Sequence, residues 1–164
     1  MSAGASPRGF SAAPRSLMSR AVAMLARREH SRIELARKLK RYLEPEQEAA
    51  ELEQILDELE RRQLLSDARY ASAVVRSRSA RYGDARLRQE LKASGVNASE
   101  VAAAVASLHG TEIERARAVW QRRYSDRPTT REDHAKQARF LQARGFSLDT
   151  IRRVLGGRHC DDES

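Results

Sequence analysis

The side chains in this sequence best equipped for chemistry are its cations. Of 31 basic residues 27 are Arg and four are Lys, against 23 acidic residues, for a net charge of +8 and a pI near 10.3. A guanidinium stays charged, presents a planar fork of donors to phosphate or carboxylate, and stacks on rings. The densest run is "RSRSARYGDARLR", which carries Arg76, Arg78, Arg81, Arg86 and Arg88; Arg69 precedes it and Lys92 follows. A second group, Arg139, Arg144, Arg152 and Arg153, lies in and around "LQARGFSLDTI". The chemistry these residues offer is recognition of an anion, either nucleic-acid phosphates or an acidic protein groove. For any one of them a solvated helix surface is the competing assignment.

Covalent and metal chemistry find no such support. No Gly-rich phosphate loop occurs, "LGGRH" near the end being too little. His30, His109, His134 and His159 lack metal-ligand spacing, and His159-Cys160 beside Asp161 and Asp162 reads as a loose tail. No nucleophile is paired with a base, so no catalytic residue, metal or cofactor is expected. The lone Cys160 cannot form an internal disulfide, which points to a reducing, cytoplasmic setting. No apolar run approaches the ~20 residues of a membrane span.

The elements that must position these cations are helical. Apolar content is 40%, with only eight aromatics and four Pro, and no alternating Val/Ile/Thr run suggests a strand. "SRIE" at Ser31–Glu34 and "TEIE" at Thr111–Glu114 have the spacing of capping boxes, and Asn97 with Glu100 is a looser one. Ser66-Asp67, Gly83-Asp84 and Ser147 are further helix starts, and Pro45 suits a first turn. These signals predict nine helices over 17–29, 31–42, 45–63, 66–81, 84–94, 98–108, 112–124, 131–144 and 148–156. Apolar stripes run along the third (Leu52, Ile55, Leu56, Leu59), sixth (Val101, Val105, Leu108) and ninth (Ile151, Val154, Leu155). Such short helices need neighbours.

The neighbours follow from repetition. "AVAML" at 21–25, "ASAVV" at 71–75 and "ARAVW" at 116–120 share Ala, a second Ala two on, then two larger apolar residues. From the first Ala to Leu39, Leu91 and Leu141 the spacings are 18, 20 and 25 residues, and the last stretch includes a loop-like "SDRPTTRED". "LKASGVNASEV" and "LQARGFSLDTI" repeat one joint. A core Leu is followed by Gly95 or Gly145 as a left-handed cap, Val96 or Phe146 closing the turn, and Asn97 or Ser147 starting the next helix. The first unit has "RYLEPEQ" there instead. The expected fold is all-α, three tandem three-helix (helix-turn-helix-like) repeats at 17–65, 66–110 and 111–157 in an elongated, curved array. An N-terminal arm (1–16) and an acidic tail (158–164) are expected to be disordered.

Charge alternates in blocks. Residues 1–43 hold ten basic and two acidic residues, 44–67 two and nine, and 68–96 seven and two, with 115–160 basic again. This segregation implies a basic face with an acidic back, or electrostatic adhesion between units.

"LARREHSRIELARKL", "LLSDARYASAVVRSRSARYGDARLRQELKASGV" and "FLQARGFSLDTIRRVL", in this order and spacing, resemble the RecX family, over roughly Leu17 to Leu155. Ser66, where the family often has Asn, and Ser94-Gly95-Val96, where it often has Lys-Gly-Ile, depart from the pattern. The resemblance implies a non-enzymatic modulator of the recombinase RecA, built from tandem three-helix repeats; a monomer is expected. Such a protein binds the RecA–DNA filament in its groove and inhibits ATP hydrolysis, strand exchange and the coprotease activity behind the SOS response. Single- or double-stranded DNA is a further expected contact for the basic face. Three-helix units also suit a sequence-specific helix-turn-helix DNA reader, with Arg152 and Arg153 as its candidates. A scaffold that binds a protein and no nucleic acid is the third reading.

Overall fold

The computed structural model describes residues 16–43 and 49–156. The expected arm before Ser16, the helix start at Pro45 and the tail with His159 and Cys160 lie outside them. The described helices are α1 (Leu17–Arg27), α2 (Arg32–Leu39, extended by a 3-10 turn at Lys40–Tyr42), α3 (Ala49–Arg61), α4 (Asp67–Arg78), α5 (Asp84–Ala93), α6 (Ala98–Ala106), α7 (Glu112–Gln121), α8 (Arg131–Ala143) and α9 (Leu148–Leu155). No strand occurs among the described residues.

Starts follow the chemistry of the caps. Ser31, Ser66, Asn97 and Ser147 each accept from the backbone N–H three residues on, at 2.9–3.2 Å. Ser16 and Thr130 cap α1 and α8 in the same way. Each such cap contributes about 1 kcal/mol. The capping box at Ser31 is half formed, because the Glu34 carboxylate turns to Arg28 and Lys38. The box expected at Thr111 does not form. Its backbone is already helical (φ −98°, ψ −6°), and its hydroxyl donates to Leu108 O and accepts from Arg115 Nε.

Stops are alike in two units. In α5 Val96 N–H reaches Leu91 O (3.1 Å) and Gly95 N–H reaches Lys92 O (3.0 Å); in α8 Phe146 N–H reaches Leu141 O (3.3 Å) and Gly145 N–H reaches Gln142 O (2.9 Å). Both are Schellman closures, with Gly95 at φ +80° and Gly145 at +83°, where a Cβ is disfavoured. α3 closes the same way through Gln63 at φ +57°, a non-Gly residue in the left-handed region.

The helices pack as trios, each around its own cluster. Ala21, Leu35, Leu39, Leu52, Leu56, Leu59 and Leu65 fill the first. Tyr70, Ala71, Val74, Val75, Leu91, Val96, Val101, Ala104 and Val105 fill the second. Ala116, Val119, Trp120, Leu141, Phe146, Ile151, Val154 and Leu155 fill the third. Each fully buried Leu adds about 1.5–3 kcal/mol. In the third cluster Trp120 Nε1 donates to buried Gln137 (2.8 Å), so its polar atom is satisfied. Of the paired Ala in each first helix, Ala21, Ala71 and Ala116 are fully buried where helices close on one another. The second Ala of each pair is at most half-buried: Ala23 and Ala118 are exposed. It lies two residues on, about 200° around the helix, so it leaves the core face.

Candidate anion-binding surface

The trios meet in series across two polar seams built alike. At the first, Arg32 N–H, opening α2, donates to Asp67 Oδ1 (2.7 Å), the first residue of α4. At the second, Asp84 N–H, opening α5, donates to Glu112 Oε1 (3.2 Å), the first residue of α7. In both, the leading carboxylate of one unit satisfies a free N–H at a helix start in the unit before it, where the helix dipole favours negative charge. At α5 this matters more, because its cap is Gly83, which has no side chain.

The second seam is the tighter. Gly83 N–H donates to Arg144 O (2.8 Å), Ala85 N–H to Gly145 O (3.3 Å) and Arg86 Nη1 to Ala143 O (3.1 Å). Arg115, largely buried, pairs with Asp84 and donates to Tyr82 O (2.9 Å) and Ser79 O (3.1 Å). Glu112 also accepts from Ser147 Oγ (2.8 Å) and Thr150 Oγ1 (2.6 Å). Burial pushes the Glu112 carboxyl up, but these hydroxyls and the Asp84 N–H outweigh it and hold it below the ordinary carboxylate range. "RGFS" is thus a helix joint that also docks the neighbouring unit.

These seams sort the candidate cations. Arg69 pairs with Glu29 across the first seam (2.9 Å), and Arg78 with Glu90 (3.0 Å). Arg86 lies over the Tyr82 ring (4.4 Å) and is engaged by the second seam. Arg153 pairs with Asp149 one turn back (2.9 Å). Arg76, Arg88, Lys92, Arg139 and Arg152 are exposed on helix surfaces, on α4, α5, α8 and α9. The basic run at 76–88 is therefore not one patch: it spans α4, a turn and α5, and two of its exposed guanidiniums already have partners within the chain. Opposite charges adhere as one of the two charge readings expects, both between units and within one. Arg32 donates to Glu53, Asp57 and Glu60 of α3 at 2.6–2.8 Å.

What the fold does assemble is a cleft of about 290 Å³ between the second and third units. Arg81 and Tyr82 enter from the turn after α4, Val119, Arg122 and Arg123 from the end of α7, and Phe140 and Arg144 from α8. No acidic residue lines it. The Arg144 guanidinium covers the Phe140 ring at 4.1 Å. Among the described residues, Arg81, Arg122, Arg123 and Arg144 have no carboxylate partner. Of the four, sequence reasoning singled out Arg81 and Arg144 and missed Arg122 and Arg123. Their signal was the short run "QRRY" closing α7, which lacks the density of the 76–88 run. The aromatic members were missed because nothing local marks a ring as facing a neighbouring unit.

Comparison with known proteins gives one result. Residues 66–105 match the family model described as the second three-helix domain of RecX, and residues 111–155 the one described as its third. The regulatory protein RecX of Leptothrix cholodnii is 48% identical over 140 residues, covering 85% of this chain and 87% of that protein. That of Ralstonia nicotianae is 44% identical over 144 residues, covering 88% and 89%. In solved structures, a crystal structure of regulatory protein RecX superposes with a TM-score of 0.71 at 25% identity, over 85% of this chain and 70% of that one. RecX from Lactobacillus salivarius gives a TM-score of 0.70 at 21% identity, over 84% and 91%, a likeness of fold. Among the described residues no helix is long and apolar enough to cross a membrane, and no metal-binding group of acids, His and Cys occurs.

Proposed function

The chain belongs to the RecX family, and from that premise we propose that it regulates the RecA recombinase by binding the RecA–DNA filament and restraining its ATP hydrolysis, strand exchange and SOS coprotease activity. Family membership across the second and third units carries this reading. The physical support is the serial array. Units held at fixed seams expose cations along the chain, from Arg76 and Arg88 to Arg139 and Arg152. A repetitive anionic filament can engage several of them at once, and several weak contacts held on one scaffold act as one strong contact.

The test is to titrate the full chain into RecA assembled on single-stranded DNA and follow ATP hydrolysis and strand exchange. Both are expected to fall at or below one regulator per recombinase, and unchanged rates at that ratio would refute the proposal. A role in reading duplex sequence is less favoured. Of the helices that end each unit, α6 presents Ala, Val, Ser and Glu, and on α9 only Arg152 has no acidic partner among the described residues.

A further inference from the structure

The two seams each enclose a cleft, and the internal repeat places these clefts in register. Aligning Ala71 with Ala116 carries Val74, Ser77 and Arg78 of the first cleft onto Val119, Arg122 and Arg123 of the second. Aligning Leu91 with Leu141 carries Glu90 onto Phe140. Aligning Leu39 with Leu91 carries Glu29 onto Arg81, and Glu34 onto Arg86, which lies over Tyr82.

The two clefts differ in size, about 600 Å³ for the first and 290 Å³ for the second, but at the positions they share the chemistry has changed. In the first cleft every acid has a basic partner: Glu29 with Arg69, Glu34 with Arg28 and Lys38, Glu90 with Arg78. It is neutralised from within. Of the three acidic positions of the first cleft, Glu29 and Glu90 have become Arg81 and Phe140 in the lining of the second, Glu34 has become Arg86 outside that lining, and Ser77 has become Arg122 within it. The aromatic at 140 is the telling change. Arg78 in the first cleft is held by Glu90 (3.0 Å), whereas its counterpart Arg123 has no carboxylate partner among the described residues, Phe140 standing where Glu90 stood. Maintaining several like charges around one cavity is unfavourable unless an anion occupies it.

We infer that the second cleft binds a single unstacked nucleotide of single-stranded DNA, its base on the stacked Arg144–Phe140 pair and its flanking phosphates on Arg81, Arg122 and Arg123. A cavity near the small end of ligand sites, which start at about 300 Å³, suits one nucleotide and is too small for a duplex. The rings favour nucleic acid over an acidic peptide: a carboxylate gains nothing from Phe140, while a base stacks on the planar guanidinium of Arg144 that Phe140 holds flat. The inference rests on the proposed function only for where the strand comes from, namely the filament, and it is tested without the recombinase.

The experiment measures fluorescence anisotropy of a labelled short oligothymidylate, and of an abasic oligomer of the same length, with the full chain. The unaltered chain is expected to bind the base-bearing strand about five-fold or more tightly than the abasic one. Phe140→Leu should abolish that preference, bringing the affinity for the base-bearing strand down to that for the abasic one. The pair Arg122→Ala and Arg123→Ala, on exposed side chains, should weaken both strands about ten-fold or more and lower the salt slope by about 2. Unchanged helicity and melting of this pair show that the loss is one of binding, so the result holds even if Phe140→Leu proves unstable. Equal affinity for both oligomers, no effect of the arginine pair, or displacement by polyglutamate as effective as by oligothymidylate would each overturn the inference. Loss of ATPase inhibition with oligomer binding intact would count against the proposed function and leave this site standing.

Discussion

Three glycines in the left-handed region separate backbone conformation from docking. Gly110 sits at φ +79° with nothing near the place a Cβ would occupy. Gly95 sits at φ +80°, where a Cβ would overlap the tip of Ile33 from the preceding unit, a side chain free to swing aside. At Gly145, φ +83°, a Cβ would lie 2.5–3.0 Å from Arg86 Cβ, N and Cα, and that helix start cannot move without opening the seam. Alanine at Gly110 should therefore cost about 1 kcal/mol, at Gly95 about 1–2 kcal/mol, and at Gly145 about 3 kcal/mol or more. Urea unfolding of the three variants gives the order directly; equal losses would mean that Gly145 is only a helix stop. At this scale the sequence shows why Gly is needed to end α5 and α8, since the Leu-x-x-x-Gly-apolar spacing is local. It does not show what rests on Gly145, because Arg86 lies far away in the chain.

For the helices, local chemistry again decides what can be read in advance. Starts at Ser31, Ser66, Asn97 and Ser147 were legible because each cap bonds three residues on. Thr111 failed for a reason outside the motif: its hydroxyl is taken by Leu108 O and Arg115. The acceptor that α5 lacks comes instead from Glu112 across the seam, and no pattern within α5 signals it. That carboxylate makes the seam sensitive to acid. Held below the ordinary carboxylate range when folded, it contributes stability that is fully present above that range and is lost as the pH falls through its lowered value. Glu34, held down by Arg28 and Lys38 against the cost of its burial, acts in the same direction within the first unit. Glu112→Gln should thus lose about 1–2 kcal/mol at neutral pH, discounted for partial exposure. It should lose less than the unaltered chain between neutral pH and pH ~3.5. Thermal melts across that range check it, and parallel curves would show that Glu112 does not titrate with folding.

In the whole molecule, each trio has its own core, so what makes three units one object is the pair of seams. Charge blocks in the sequence anticipated adhesion between opposite signs, and "RGFS" anticipated a joint. Which cations remain for a partner was hidden, because contacts across the seams engage Arg69 and Arg86, while the cleft between the second and third units brings in Arg122 and Arg123. The central member of the second seam is Arg115, whose side chain is only 12% exposed and ties Asp84 to the carbonyls of Ser79 and Tyr82. Arg115→Ala leaves a carboxylate and two carbonyls without their donor, yet removes nothing from either apolar cluster. The array should then loosen at the joint while each unit stays folded, since in a linear repeat local and interface stabilities are separable. Amide hydrogen exchange reports this residue by residue. The N–H groups of Gly83, Asp84 and Ala85, all bonded across the seam, should exchange about ten-fold faster or more, and those of Val101 and Val105 inside α6 should not change. If instead all of these amides accelerate together, the second and third units unfold as one body, and the seam is part of a shared core rather than a joint between separately stable units.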